Sequence, residues 1–284
     1  MKNSKLNITI GKHSGFCFGV KRAYDLACVN SRNCTDIFIL GKLVHNDDVC
    51  RDLKKRGIRE IESLASKKNG TVIFTAHGIG PKVYGMAQKR GLKVIDTTCP
   101  KVMKAQRLAE NYARKHFRVI IFGDKNHKEV KSICEWSGNK AKIVSSFREA
   151  KSLKLARTKK YCLISQTTQN VQEFGKIKNY LVSQLPNLIC FSTICDSTDN
   201  RQKEVRELSK SKDAVVVIGG RDSANSRRLF EIAKEINPKT YFIQNEKQVR
   251  DNWLAGIQSL AVTAGASTPN WVIRAVVEKI RNIF

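Results

Sequence analysis

Short apolar runs rich in β-branched residues alternate with amphipathic stretches along the chain. The runs predict strands at 6–10, 36–40, 71–74, 93–95, 118–122, 161–164, 187–191, 214–218, 240–243 and 259–262. Between the runs, apolar residues recur at helical spacing, for example in 102–115, 200–211, 227–236 and 271–283. This alternation of strands and helices predicts an α/β fold with mostly parallel sheets.

Three cysteines occupy the same position in this pattern. Cys17, Cys99 and Cys195 each follow a predicted strand and precede a predicted helix, at separations of 82 and 96 residues. Free backbone N–H groups and the helix dipole stabilise negative charge at a helix N-terminus, so the position favours a thiolate. Three such cysteines at similar spacing require a common explanation.

Two further loops recur with the cysteine loop. One runs from a glycine to a polar group, and its three copies end at His45, at His127 with Glu129, and at Ser223 with Ala224 and Asn225. The other holds His77, then Thr167 with Thr168, then Ser267. A period of roughly 80–100 residues fits a small α/β domain in each copy.

We therefore predict three similar α/β units. Their ranges are 1–97 with Cys17, His45 and His77; 98–193 with Cys99, His127 and Thr167; and 194–284 with Cys195, Ser223, Ser267 and a C-terminal helix. Ligands bind at the carboxyl ends of strands in open α/β sheets. If the units form a pseudo-threefold trefoil, their loops converge on one central site.

The predicted centre carries three thiols and a ring of polar groups. Thiolates select zinc, copper(I) or iron–sulfur clusters. Three cysteines with a histidine typically form a closed structural zinc site, whereas a [4Fe–4S] cluster on three cysteines leaves one iron open. The ring, which comprises His45, His77, His127, Ser223, Asn225 and Ser267, suits a phosphate or diphosphate, with charge-assisted hydrogen bonds from protonated histidine. Glu129 is a candidate proton donor, and Thr167 and Thr168 a proton relay or hydroxyl contact.

Each of these interpretations has a structural alternative. A single cysteine is most often a small core residue, which is our interpretation of Cys28, Cys34, Cys50, Cys134, Cys162 and Cys190. Ser223 and Asn225 suit the N-terminal cap of the helix that follows them. Cys99-Pro100 suits a helix start with proline at the first helical position.

Composition narrows the class of protein. The 284 residues include 52 Lys and Arg against 25 Asp and Glu, a net charge of +27 that favours anionic partners. No apolar run approaches the ~20 residues of a membrane span, and Met1 to Lys5 lead into a strand pattern rather than a signal peptide. We expect a cytosolic protein that does not bind membranes. Nine cysteines in that compartment indicate metal or catalysis rather than disulfides.

The motifs together resemble the IspH/LytB family of 4-hydroxy-3-methylbut-2-enyl diphosphate reductases. The matching stretches are 15–23 (GFCFGVKRA), 44–46 (VHN), 76–78 (AHG), 96–102 (DTTCPKV), 127–130 (HKEV), 165–169 (SQTTQ), 193–195 (TIC), 200–202 (NRQ), 222–226 (DSANS) and 263–269 (TAGASTP). They cover nearly the whole chain in order. No single motif is specific, but the set is.

The resemblance implies a [4Fe–4S] enzyme that removes the hydroxyl of its allylic diphosphate substrate with two electrons and two protons. The products are isopentenyl and dimethylallyl diphosphate, in the last step of the methylerythritol phosphate route to isoprenoids. By resemblance, Cys17, Cys99 and Cys195 hold the cluster, and its open iron takes the substrate hydroxyl. His45, His77, Ser223, Asn225 and Ser267 hold the diphosphate, and His127, Glu129 and Thr167 carry the proton network.

Two positions depart from the family pattern. Lys128 stands where the family often has proline, and Ala224 stands where it often has a second serine, so that only a backbone N–H remains there for the diphosphate. The high positive charge fits an acidic, low-potential electron donor of the flavodoxin or ferredoxin type.

Two other classes of protein remain open on sequence. A hydratase or dehydratase of the aconitase type would also use an open-iron cluster but needs no external electrons. A basic nucleic-acid-binding protein with a structural metal is the non-enzymatic alternative. The chain carries no aromatic stacking motif and no zinc-finger spacing, so we expect no nucleic-acid partner.

Overall fold

A computed structural model describes residues 6–67, 69–253 and 255–283. The strands are β1 (Asn7–Ile10), β2 (Ile37–Leu40), β3 (Arg59–Ile61), β4 (Thr71–Phe74), β5 (Lys93–Asp96), β6 (Arg118–Phe122), β7 (Lys142–Val144), β8 (Tyr161–Ser165), β9 (Leu188–Cys190), β10 (Ala214–Ile218), β11 (Thr240–Ile243) and β12 (Ser259–Ala264). The helices are α1 (Phe18–Asn33), α2 (Asp47–Lys55), α3 (Pro81–Lys89), α4 (Pro100–Arg114), α5 (Lys128–Trp136), α6 (Phe147–Lys151), α7 (Val171–Gln184), α8 (Asp196–Ser211), α9 (Ala224–Ile236) and α10 (Asn270–Arg281).

Within these described ranges the strands form three four-stranded sheets, and every pairing is parallel. Their orders are β3-β2-β4-β5, β7-β6-β8-β9 and β1-β12-β10-β11. The predicted fold class, three α/β units with mostly parallel sheets, is confirmed. All ten predicted strands are present. The three-residue edge strands β3 and β7 were not predicted, because they are too short to show a period.

Helices cover both faces of the sheets, which explains why central strands such as β6 and β10 are almost continuously apolar. On one face of the β10–β12 sheet, Val272 and Val276 of α10 pack against the strands. On the opposite face, Val205 of α8 and Leu229 of α9 do so. Burial of each such side chain contributes roughly 1.5–3 kcal/mol. Among the described residues, no helix combines the length and apolar character that crossing a membrane requires.

One strand does not follow the predicted division into units. β1, placed by the sequence pattern in the unit 1–97, pairs with β12 in the register Asn7↔Ser259 to Ile10↔Val262. The N-terminal strand thus completes the sheet of the C-terminal residues. A pairing across some 250 residues cannot be predicted from local sequence. The apolar pattern predicts that a strand forms and which of its faces is buried, but not which strand it pairs with.

The chain divides into two compact bodies. Of the described residues, the terminal body comprises those through Lys21, Val44–Asp52 and those from Asp196 on. The central body comprises Arg22–Leu43 and Leu53–Cys195, and it contains two of the three sheets. The predicted domain boundaries near residues 97 and 193 stay a prediction.

Candidate active site

Each of the three predicted ligand cysteines makes the same kind of backbone hydrogen bond. The N–H of Cys17 donates to Ala266 O at 3.1 Å, that of Cys99 to Ala76 O at 3.1 Å, and that of Cys195 to Thr167 O at 3.0 Å. Each bond lies within one body and joins a cysteine to the loop after the neighbouring strand of its own sheet. The residue after each acceptor therefore occupies an equivalent position in its loop. These residues are His77, Thr168 and Ser267.

Each of these cysteines directly precedes a helix. α1 begins at Phe18, α4 at Pro100 and α8 at Asp196. The Sγ of Cys17 accepts a hydrogen bond from Val20 N at 3.5 Å, and Cys99 is the N-cap of α4 with Pro100 in its first turn. The helix start proposed for Cys99-Pro100 is therefore confirmed. It is compatible with a ligand role, because all three thiols are partly exposed at positive helix ends.

Glu129 and Thr167 form a buried pair in the central body. Glu129 Oε1 accepts a hydrogen bond from Thr167 N at 2.6 Å, and Oε2 accepts one from the Thr167 hydroxyl at 2.9 Å. Within residues 6–67, 69–253 and 255–283, Glu129 and Arg201 are the only charged residues that are buried. Burial raises the pKa of Glu129 to about 7, although the two bonds from Thr167 act in the opposite direction. Glu129 is thus poised to hold and release a proton near neutral pH.

The raised pKa of Glu129 predicts a loss of stability as pH rises. Below the ordinary pKa of 4.5, the folded and unfolded chains both hold the proton. Between pH 4.5 and about 7 only the folded chain holds the proton, so the free energy of unfolding falls as pH rises. Above pH 7 both states have lost the proton, and the free energy of unfolding has fallen by the full amount of roughly 3 kcal/mol. From pH 5 to pH 8, we expect urea titrations to show the wild type losing about 2–3 kcal/mol more than Glu129→Gln. Equal losses would contradict the raised pKa.

His127 caps α5 through its ring. Its Nδ1 accepts a hydrogen bond from Glu129 N at 3.2 Å, which leaves Nε2 as the ring nitrogen that can donate. His77 packs edge-to-face on His127, with ring centroids 5.5 Å apart. The two imidazoles thus pack against each other at the start of α5, the helix that carries Glu129.

The first departure from the family pattern, Lys128, is the first residue of α5. Its Nζ lies so close to Gly41 that a Cβ at that glycine would be 2.6 Å from the Nζ. The helix still starts at the position where proline is favoured, and Glu129 remains buried.

In the terminal body, Ser223, Asn225 and Ser267 lie at the ends of β10 and β12. Ser223 is the N-cap of α9, which confirms that structural alternative for this residue. Asn225 is 4% exposed, and neither its Oδ1 nor its Nδ2 has a hydrogen-bond partner among the described residues. A buried amide in that state is costly unless a ligand completes it. Ser267 donates from its hydroxyl to His45 O at 3.5 Å.

The structure shifts the alignment of the first polar loop by one residue. Asn46 Oδ1 accepts from Asp48 N and Val49 N at 3.0 and 3.2 Å, so Asn46 caps α2 as His127 caps α5 and Ser223 caps α9. His45 lies one position earlier, because this loop is one residue longer after its glycine. The His45 carbonyl approaches Gly220 so closely that a Cβ there would lie 2.2 Å away, which explains that glycine.

Two supporting side chains were not singled out by the sequence. Arg201 of α8 is 4% exposed and donates from Nη2 to Gly15 O at 2.7 Å, two residues before Cys17. Gln106 donates to the Ser132 hydroxyl at 3.1 Å, and that hydroxyl lies 3.4 Å from His77 O. The available signal was weak: Arg201 lies in a motif that matches the family, and Gln106 lies on the buried stripe of α4.

The other cysteines differ in their surroundings. Cys162 is fully buried, and burial raises the pKa of its thiol to about 12, as expected for a core residue. Cys134 and Cys190 pack against the core clusters of the β6–β9 sheet. Cys28, Cys34 and Cys50 are half-buried, so the interpretation as core residues holds only partly. The roles predicted for the thirteen site residues stay predictions.

Comparisons with known proteins identify the family. The family model described as LytB protein matches residues 8–281. The 4-hydroxy-3-methylbut-2-enyl diphosphate reductase of Caldanaerobacter subterraneus is 38% identical over an alignment of 283 positions, which covers 98% of this chain and 98% of the relative. The enzyme of the same name from Clostridioides difficile is 36% identical, over 98% of this chain and all of the relative.

Two solved structures are similar over most of the chain. One is (E)-4-hydroxy-3-methyl-but-2-enyl diphosphate reductase, the terminal enzyme of the non-mevalonate pathway, with 33% identity, a TM-score of 0.71 and coverage of 98% of this chain and 99% of that one. The other is the E-1-hydroxy-2-methyl-but-2-enyl-4-diphosphate reductase from Plasmodium falciparum, with 27% identity, a TM-score of 0.91 and coverage of 96% and 87%. The family match and the full-length identity together show that this chain belongs to the LytB protein family.

Proposed function

We propose that this chain reduces 4-hydroxy-3-methylbut-2-enyl diphosphate to isopentenyl and dimethylallyl diphosphate, the last step of the methylerythritol phosphate pathway. Membership of the LytB family and full-length similarity to reductases of that name support the proposal. The observation that carries it is the buried Glu129–Thr167 pair, whose Thr167 carbonyl also accepts the N–H of Cys195. A proton donor is thereby tied to a predicted cluster ligand.

The three cysteines fit a [4Fe–4S] cluster with three protein ligands. Each thiol lies at a helix N-terminus, is partly exposed and has its backbone N–H fixed to an adjacent loop. These features favour thiolates that can reach an exogenous group. Cys17, Cys99 and Cys195 would hold the cluster. When bound, it supplies a Lewis-acidic open iron for the substrate hydroxyl and a path for electrons.

The diphosphate would be held by polar groups of the recurring loops. Their members are His45, His77, Ser223, Asn225, Ser267 and the backbone N–H of Ala224. Asn225 supports this role most directly, because its buried amide offers both a donor and an acceptor. Neutral hydroxyl, amide and imidazole donors bind phosphate oxygens without the desolvation cost of a buried lysine.

Proton delivery would run from Glu129 through Thr167. A protonated Glu129 can give its proton to the Thr167 oxygen, 2.9 Å away, while Thr167 passes its own hydroxyl proton to the substrate. His127 adds an Nε2–H donor beside this pair. Thr168 accepts a hydrogen bond from Gln166 Nε2 at 2.9 Å, so its O–H remains available to a substrate oxygen.

The proposed function is tested by anaerobic turnover with and without a reductant. We expect conversion of the allylic diphosphate to both products only when a low-potential electron source is present. Conversion without a reductant would indicate a hydratase or dehydratase instead. No conversion under either condition, with an intact cluster, would exclude the proposed substrate.

The electron donor is proposed to be an acidic protein of the flavodoxin or ferredoxin type. The net charge of +27 would steer such a donor, and salt screens that attraction over a Debye length of about 8 Å at physiological ionic strength. We expect the second-order rate of reduction to fall severalfold between about 20 and 300 mM salt. Reduction by a small neutral dye is the control. A salt-independent rate with the acidic protein would contradict the steering.

A further inference from the structure

Ser226 is a buried serine that the proposed function leaves without a role. It is the third residue of α9 and is fully buried. Its hydroxyl donates to Ser223 Oγ at 3.0 Å, and its backbone N–H donates to the same oxygen at 3.3 Å. Ser223 Oγ thus accepts two hydrogen bonds from one residue.

Two glycines make room for the Ser226 hydroxyl. Gly219 follows β10 and Gly265 follows β12, and a Cβ at these positions would lie 2.2 and 2.0 Å from Ser226 Oγ. Neither glycine has the positive φ that would itself demand glycine. The strand ends are therefore shaped around this hydroxyl, which is held between them.

The repeated architecture offers an internal comparison. Counted from the cap, the position of Ser226 in α9 corresponds to Val130 in α5 and to Val49 in α2. Both valines are fully buried. Packing at this position therefore accepts an apolar side chain, and the hydroxyl of Ser226 is explained by its bond to Ser223 rather than by the fold.

The bond determines what Ser223 can do. A hydroxyl has one proton to donate and two lone pairs to accept with. Ser226 occupies both acceptor sites of Ser223, so the Ser223 proton is directed to a third group. Two residues on, the buried amide of Asn225 has no hydrogen-bond partner in the part of the chain that the structure describes. Both residues therefore present hydrogen-bonding capacity to a ligand.

We propose that Ser226 is a positioning residue that commits the Ser223 hydroxyl to donate to the substrate diphosphate. The proposal rests on the proposed function, because it assumes that Ser223 contacts that group. Ser226 acts through Ser223 and does not itself touch the substrate.

The test is a double-mutant cycle on anaerobically isolated protein. Ser226→Ala should raise the Kd for inorganic diphosphate and the KM for the allylic diphosphate by about three- to tenfold, the range expected for one neutral hydrogen bond. The effect should fall on KM rather than kcat, because ground and transition states both carry the diphosphate. In a Ser223→Ala background, Ser226→Ala should have no further effect, since its route of action is gone.

Ser209→Ala is the matched control. Ser209 is a buried serine of the terminal body whose hydroxyl donates only to Val205 O of its own helix, at 2.6 Å, and its loss should leave Kd and KM unchanged. Should Ser226→Ala fail to fold, Ser226→Val removes the same hydroxyl and places there the residue found at the equivalent positions of α5 and α2. The proposal is overturned if the effects of Ser223→Ala and Ser226→Ala are additive. It is also overturned if the wild type is active and Ser226→Ala has an unchanged KM. A wild type that neither binds diphosphate nor turns over refutes the proposed function instead.

Discussion

Replacing Cys99 with serine is expected to abolish turnover and to remove the iron–sulfur absorption of anaerobically isolated protein. Serine keeps the size of the side chain at the N-cap of α4 but replaces a soft thiolate with a hydroxyl that binds iron poorly. The loss of activity should exceed the roughly 10- to 100-fold that follows removal of a group behind a metal ligand. Absorption spectra, iron content and turnover measure the effect.

Cys34→Ser is the matched control for this substitution. Cys34 is a half-buried cysteine of the central body whose sulfur accepts a hydrogen bond from the Thr71 hydroxyl at 3.7 Å, and serine can accept that bond as well. We expect this variant to keep colour and activity. A Cys99→Ser protein that remained brown and active would remove Cys99 from the proposed ligand set.

Glu129→Gln is expected to keep the cluster and diphosphate binding but to lose most turnover. Glutamine has the shape of glutamate, and its amide oxygen can still accept a hydrogen bond from Thr167 N. Its amide is not acidic, so it cannot transfer a proton to the substrate. Loss of a general acid typically lowers kcat by about 10²- to 10⁴-fold. In the wild type, kcat should also fall as pH rises through about 7, where Glu129 loses its proton.

Glu149→Gln serves as the control for the loss of a carboxylate. Glu149 lies in the first turn of α6, and its Oε2 accepts from Ser145 N and pairs with Lys125 at the surface. We expect normal kcat and an unchanged pH profile for this variant. Normal turnover in Glu129→Gln would show that another group donates the catalytic proton. A wild-type kcat that does not change with pH would show the same.

The repeat of short strands and helices made much of the fold predictable. Buried parallel strands appear as apolar runs whatever their partners, so all ten predicted strands are present. Which strands pair was harder to predict, because β1 joins β12 through contacts that span nearly the whole chain. β3 and β7 were missed, since three residues at a sheet edge carry too little pattern.

The site was predictable where residue type carries the chemistry. Cys17, Cys99 and Cys195 stand out because a thiol at a helix start recurs three times in the sequence. Glu129 could be named from the sequence, but its burial against Thr167 and its raised pKa required the structure. The cap at Asn46 was missed because a one-residue insertion shifts the loop. Ser226 resembled any helical serine until Gly219 and Gly265 showed the slot around its hydroxyl.

Iron and acid-labile sulfide analysis, combined with an EPR spectrum of anaerobically isolated protein, tests the central claim most directly. We predict about four iron and four sulfide per chain, and an EPR signal of the reduced cluster that changes when the allylic diphosphate is added. A colourless, fully stable protein with stoichiometric zinc and no sulfide would contradict the account, because three cysteines would then hold a structural metal.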